Sequence, residues 1–263
     1  MPPVPTAARF LSQEESLAFD RDGFLVVRGV FSAEEIRQVS GWIDQLASAK
    51  SPKWLLYEEP SLTEKGKKLL SRVEQFADHH GPLGRFIRDE RIVRRASELL
   101  GEPAVLFKEK VNFKMPGAAG FRAHQDIQPA GWEAYADYFI SALIAVDPST
   151  PENGCLELAA GHHKRGWLGG KGKPLDGPAL EGVDFVKYPM EPGDAVYFDC
   201  FVPHRSGPNL TARPRRNLYL TFNRGSEGDQ RERYFVDWRR DLALRRFFPF
   251  LSAGRTSWRL KPA

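Results

Sequence analysis

From Ala104 onward the sequence is cut into short apolar runs by turn residues, a texture that leaves few folds open. The runs are Ala104 to Lys114, Tyr138 to Val146, Gly154 to Leu158, Phe185 to Tyr188, Asp194 to Phe198 and Arg215 to Phe222. Pro116-Gly117, Asn153-Gly154, Pro192-Gly193 and Pro208-Asn209 separate them. Runs of this length bounded by Gly, Pro and Asn read as strands. With so little helical sequence between them, a sandwich or barrel is predicted rather than a parallel βαβ sheet.

The preceding part reads differently. Ser12-Gln-Glu-Glu15 and Ser32-Ala-Glu-Glu35 both fit the capping box that starts a helix. The first helix is predicted to stop near Gly23, with Phe24 to Val27 as a short strand, and the second to run from Ala33 into Leu46. Helical spacing returns between Arg72 and Leu100, interrupted at Gly81-Pro82 and stopped by Gly101. Lys164 to Gly182 carries six Gly and two Pro and is read as a mobile surface loop. No repeat or linker divides the chain. The expectation is one domain over 1–263: a helical part over about 1–102, a β core over about 103–225 and a helical segment over about 226–263.

Composition excludes several classes. Hydrophobic residues at 41% and charged residues at 27% fit a globular chain, and no apolar run reaches membrane-spanning length. Cys155 and Cys200 are the only cysteines, too few for a disulfide framework, and Met1 to Phe10 lacks a secretory pattern. The cytoplasm is therefore expected. From Arg205 onward fourteen Arg and Lys face five Asp and Glu. Such a basic segment suits nucleic acid, a pocket for an anion, or simply a solvated helix face around Arg231 to Arg246.

Of six histidines, the informative one lies in Phe121-Arg-Ala-His-Gln-Asp-Ile127. His124 and Asp126 are two apart, so on an extended strand both side chains share a face. His204, in Asp199-Cys-Phe-Val-Pro-His-Arg-Ser206, follows a strand. Two His and one carboxylate make the facial triad that leaves open positions on non-haem Fe(II). Arg215, eleven residues on, opens a strand whose polar face is Arg215, Asn217, Tyr219 and Thr221. An Arg aimed into a barrel needs an anion to offset desolvation, and a dicarboxylic cosubstrate would supply one. Alternation turns Arg216 outward, although a register shift of one would exchange the two. His79, His80, His162 and His163 are read as surface or packing residues, Cys155 and Cys200 as small buried hydrophobes, and Asp194 as a turn residue.

These motifs together resemble the phytanoyl-CoA dioxygenase-like (PhyH) family of Fe(II)/2-oxoglutarate oxygenases. The resemblance runs from Phe19-Asp-Arg-Asp-Gly-Phe-Leu-Val-Val27 through His124-Gln-Asp126, Asn153-Gly-Cys-Leu156, Pro192-Gly-Asp194 and His204-Arg-Ser206 to Arg215. It implies a double-stranded β-helix (jelly-roll, cupin-like) core, mainly β with flanking helices, and iron held by His124, Asp126 and His204. It also implies that Arg215 binds the far carboxylate of 2-oxoglutarate, assisted by Ser206, with Gln125 as a further contact. The strand Phe107 to Lys114 would border the site, offering Asn112 and Lys110 to the cosubstrate and Lys108 to an anionic substrate group. An edge strand with solvated lysines is the alternative.

The implied reaction consumes O2 and 2-oxoglutarate and hydroxylates an aliphatic C–H, with ascorbate as reductant. Asp126 favours hydroxylation, because related halogenases carry a small residue there. Phe107 to Lys114, Ala130 to Ala136 and Glu227 to Tyr234 resemble the bacterial subgroup that hydroxylates aminoethylphosphonates at the carbon alpha to phosphorus. Phe235 to Arg240 and the glycine-rich loop depart from it. The expected partner is thus a small molecule. Tailoring of an amino-acid-like or natural-product intermediate, by hydroxylation or desaturation, is the alternative within the class. Outside it stand a non-enzymatic β-barrel binding protein and a nucleic-acid binder, the latter disfavoured by the lack of an interleaved basic and aromatic stripe.

Overall fold

Both capping boxes close in the computed structural model, which describes residues 9–49, 51–127, 131–170, 174–247 and 259–260. The elements in chain order are α1 (Gln13–Asp22), β1 (Phe24–Val27), α2 (Ala33–Ser48), β2 (Leu55–Pro60), β3 (Lys68–Glu74), α3 (Gly81–Phe86), α4 (Glu90–Leu100), β4 (Ala104–Lys114) and β5 (Phe121–His124). They continue with β6 (Phe139–Ala145), β7 (Leu156–Leu158), β8 (Val186–Tyr188), β9 (Ala195–Asp199), β10 (His204–Ser206), β11 (Arg215–Arg224), α5 (Arg231–Phe247) and β12 (Arg259–Leu260). Gly23 ends α1 at φ 84°, where a Cβ would lie 2.5 Å from His163, so both conformation and space require glycine.

All the strands pair antiparallel. Eight form one sheet in the order β1-β9-β6-β11-β4-β3-β2-β12, and four form the second, β5-β10-β7-β8. This is the double-stranded β-helix expected. The alternating side chains of the large sheet serve two cores. Outward, Val111, Phe113, Ile140, Ala142, Ile144, Leu218 and Leu220 pack beneath α2 and α4 through Val39, Ile43, Ile92 and Ala96. Inward, Leu143, Ala145, Val196 and Phe198 meet Leu156 and Leu158 of the small sheet.

The inward face of the other half is polar, and register shows how. Residues opposite one another in a ladder share a face. Arg72, Asn112 and Asn217 therefore form one row, Glu74, Lys110 and Tyr219 the next, and Lys108, Thr221 and Ser141 a third. Arg216 points outward to Asp147 (2.8 Å) and Asp44 (2.6 Å), so the register ambiguity resolves as alternation predicts.

Three predicted features need correction. The first hundred residues are not purely helical: β2 and β3 join the large sheet, and the span from Arg72 begins as a strand. The inward face of β3 carries Arg72 and Glu74, so its sequence lacks the apolar alternation that announces a strand. The glycine-rich segment is not free on either side of residues 171–173, which lie outside the described residues. Gly166, Leu168 and Leu175 are all hydrogen-bonded to the β5 region. Of the expected C-terminal helical segment, α5 begins at Arg231, after a short 3-10 turn at Gly225–Glu227, and the part over residues 248–258 and 261–263 lies outside the described residues.

Candidate functional site

His124 and His204 face each other directly across the β5–β10 ladder, and their ring centroids are 4.1 Å apart. Asp126, two residues beyond His124, reaches the same point, with Oδ1 3.6 Å from His204 Nε2. One ligand atom from each residue can be chosen so that all three lie within 4.8 Å of one another. Each imidazole is oriented by its own backbone: Nδ1 of His124 donates to the Arg122 carbonyl (2.7 Å) and Nδ1 of His204 to the Val202 carbonyl (3.0 Å). That leaves both Nε2 lone pairs for a ligand, a recurrent arrangement at metal sites. Ser141 donates to Asp126 Oδ2 at 2.5 Å and turns Oδ1 inward.

Burial lowers both histidines from their ordinary range, His124 to about 3. Burial acts upward on Asp126, but His204, Lys110 and the Ser141 bond outweigh it and hold the carboxyl near 2. Near neutral pH the donor set is thus two neutral imidazoles and one carboxylate, the state in which these ligands take up a divalent cation.

Beyond the triad lies a cluster of buried polar groups. Arg215 is 2% exposed; Nη2 donates to the Gly154 carbonyl at 2.9 Å, and Nε has no partner among the described residues. The Asn217 amide, turned so that both its atoms are satisfied, accepts from Arg215 Nη1 at 2.6 Å. Asn112 Oδ1 is likewise buried and unpartnered. Gly154, at φ 74°, sits 2.1 Å in Cβ terms from the Gly207 carbonyl, so only glycine brings its own carbonyl beneath Arg215 and Lys114. Ser206 is beside this cluster, and its Oγ accepts from Lys114 Nζ at 2.7 Å.

Lys114 had no assigned role in the sequence, although it shares the period-two face of Lys108, Lys110 and Asn112. Its Nζ also donates to the carbonyls of Gly154 (3.1 Å) and Gly207 (2.5 Å). Burial and the neighbouring Arg215 pull it down to about 6. Gln125, expected beside the cosubstrate, is spent elsewhere. Its amide bonds the carbonyls of Gly166 and Phe201 and the Leu168 N–H, anchoring the glycine-rich segment to the triad motif.

The third side of the site is cationic. Lys110 Nζ lies 5.0 Å over the Tyr219 ring with no hydrogen-bond partner among the described residues; burial lowers it to about 8, with Asp126 opposing. Lys108 is committed. Its Nζ meets Glu74 (3.1 Å) and the Tyr234 hydroxyl (2.9 Å), over the rings of Trp132, Tyr234 and Trp238. Arg72 Nε pairs with the same Glu74 oxygen at 2.9 Å and lies over Tyr57. Glu74, Arg72 and the α5 aromatics escaped the sequence reading, because only tertiary register brings them to β4. Among the described residues no helix is long and apolar enough to cross a membrane.

Fold and triad together define a class: the chain is a dioxygenase built on a double-stranded β-helix. More particularly, it belongs to the phytanoyl-CoA dioxygenase (PhyH) family, which matches residues 19–217. It is 38% identical over 228 residues to a methylphosphonate hydroxylase from Gimesia maris, covering 86% of this chain and 85% of that one. Identity is 39% over 236 residues to a 2-aminoethylphosphonate dioxygenase from an uncultured bacterium, covering 88% of both. Among solved structures, EctD from S. alaskensis superposes with a TM-score of 0.69 at 24% identity, covering 84% of this chain and 79% of that one.

Proposed function

We propose that the protein is an Fe(II)/2-oxoglutarate-dependent hydroxylase acting on the carbon alpha to phosphorus of a small phosphonate. His124, Asp126 and His204 would hold the metal. Arg215, Ser206 and Asn112 would hold the far carboxylate of 2-oxoglutarate, and the unpartnered Arg215 Nε and Asn112 Oδ1 support that placement. Bound there, iron and 2-oxoglutarate supply O2 activation, coupling decarboxylation of the cosubstrate to succinate and CO2 with hydroxylation of a C–H bond. The chain's own residues set up everything around it. Arg215 fixes one end of the cosubstrate, Ser141 orients the Asp126 carboxylate, and the apolar wall of Leu143, Val196 and Phe198 excludes water.

The observation that carries the phosphonate reading is Lys110. It is a half-buried ammonium beside the triad with no hydrogen-bond partner among the described residues, and such a cation calls for an anion. The names of the two phosphonate-oxidising relatives agree with it. The test is succinate formation by purified protein with Fe(II), ascorbate, 2-oxoglutarate and O2, comparing methylphosphonate, 2-aminoethylphosphonate and its N-trimethyl analogue with free amino acids. Phosphonate-dependent succinate that disappears in His124→Ala is expected. Slow turnover indifferent to every phosphonate would remove the substrate assignment, and amino-acid-dependent turnover would replace it.

A further inference from the structure

The Lys108 pocket has the chemistry of an ammonium receptor. Glu74 supplies a carboxylate at 3.1 Å and the Tyr234 hydroxyl an acceptor at 2.9 Å. Trp132, Tyr234 and Trp238 place ring centroids 5.3–6.0 Å from the nitrogen, the range of cation–π attraction. This box lies one row beyond Lys110 on the inward face of β4, in the row that includes Ser141 and so abuts Asp126. A substrate reaching from the triad with an ammonium at its far end would find its receptor here. The receptor is already full, because the ammonium in it belongs to the chain.

No other carboxylate replaces it. All 34 Asp and Glu of the sequence fall within the described residues. On the rows of Arg72, Lys110 and Lys108 only Glu74 is acidic; Asp126 approaches them from beyond β5, and Glu59 lies at the other end, beside Lys114. Asp126 is a candidate metal ligand, and Glu74 is shared between Arg72 and Lys108. Glu109, on the opposite face of β4, is paired with Arg231, and Glu157 with Arg205. Arg72, Lys108 and Lys110 thus outnumber Glu74 and Asp126 before any metal is counted. A further ammonium would enter a field that is already positive, whereas a phosphonate dianion enters a favourable one.

We infer that Lys108 is a specificity-determining residue: by occupying the Glu74–Tyr234–Trp132–Trp238 box it selects small phosphonates whose carbon end is uncharged, with Lys110 meeting the phosphonate. The inference rests on the phosphonate reading of the same site.

Propylphosphonate and 2-aminoethylphosphonate provide the test, since they match in shape and differ in one charge. Each is titrated calorimetrically into the protein supplied anaerobically with Fe(II) and 2-oxoglutarate, and succinate release is measured in parallel. Propylphosphonate is expected to bind at least tenfold more tightly. In Lys108→Ala, which vacates the box and leaves Glu74 available, the preference is expected to shift by at least tenfold toward the amine. Tighter binding of 2-aminoethylphosphonate by the unmodified protein would overturn the inference and leave the phosphonate reading standing. A Lys108→Ala protein that keeps the original ratio would overturn the role of Lys108. If that variant does not fold, the ratio in the unmodified protein decides alone. Binding of neither phosphonate would overturn the phosphonate reading, and this inference with it.

Discussion

Replacing Lys114 by methionine takes away a buried amine that has three acceptors around it, namely Ser206 Oγ at 2.7 Å and the carbonyls of Gly154 and Gly207 at 3.1 and 2.5 Å. Two of these keep another donor. Gly154 retains Arg215 Nη2 at 2.9 Å, and Ser206 Oγ retains the Phe121 N–H at 3.4 Å. Gly207 loses the donor that Lys114 provides, at a cost of about 1–3 kcal/mol for an orphaned buried carbonyl. Relief from burying the amine, which is pulled from 10.5 to about 6, offsets part of that cost. Net stability should therefore change by less than about 2 kcal/mol, or under roughly 8 °C in Tm at this size.

Cosubstrate binding has no such offset. An arriving carboxylate draws Lys114 into its charged form beside Arg215, and by donating to Ser206 Oγ the amine leaves the hydroxyl proton free to turn toward that carboxylate. Losing one charge-assisted contact of about 1.5–3 kcal/mol corresponds to a rise of roughly tenfold to hundredfold in KM for 2-oxoglutarate. The assay is succinate formation with 2-oxoglutarate varied at saturating phosphonate, beside a thermal melt. KM for the phosphonate should move by less than about twofold, because Lys114 lies at the Arg215 end. An unchanged KM for 2-oxoglutarate, or a parallel rise in both KM values with a collapsed Tm, would refute the positioning role.

Other outcomes follow from the same geometry. A carboxylate arriving beside Lys114 raises its depressed pKa, so cosubstrate binding takes up a proton; KM for 2-oxoglutarate should rise as pH increases above about 6, and Lys114→Met should flatten that profile. Calorimetry in buffers of different ionisation enthalpy checks the uptake directly. Divalent metal at about 100 Kd should stabilise the protein by about 2.7 kcal/mol, roughly 5–11 °C in Tm. His124→Ala should abolish that shift, and a chelator should reverse it. Arg231→Met leaves Glu109, 0% exposed, as an uncompensated buried charge and should cost about 3–5 kcal/mol by denaturant unfolding. Adding Glu109→Leu should recover part of the loss, and no recovery would show that Arg231 acts mainly through Asp78 (3.0 Å).

The elements that followed local rules were legible. β4 runs over the residues its alternation marked, from Ala104 to Lys114, and the serine caps closed where Glu stands three residues later. The triad residues stood out because the spacing of two is a property of the strand itself. What stayed hidden depended on pairing between distant segments. β3 places Arg72 and Glu74 opposite Asn112 and Lys110, and neither polar residue has a local reason to face inward. Gln125 looked like a site residue because it lies between two ligands, yet alternation turns it away from them, onto the backbone of Gly166, Leu168 and Phe201. Tyr234 and Trp238 reach Lys108 only because Arg231 pins the start of α5 to Glu109, one residue along β4 on the opposite face.

That division of labour explains how the chain tolerates so cationic an interior. Placing Lys108, Lys110, Lys114, Arg72 and Arg215 on the inward face of a sheet costs stability, since each loses hydration and only some find a carboxylate. The opposite face of the same strands contributes instead. Val111, Phe113, Leu218 and Leu220 alternate with these cations and pack beneath α2 and α4, each at roughly 1.5–3 kcal/mol of burial. A strand read in alternation can therefore hold the fold on one side and keep a row of cations beside the triad on the other. The helices flanking the β core are the condition for the site, because without their apolar faces β4 and β11 would have nothing to set against the cations they bury.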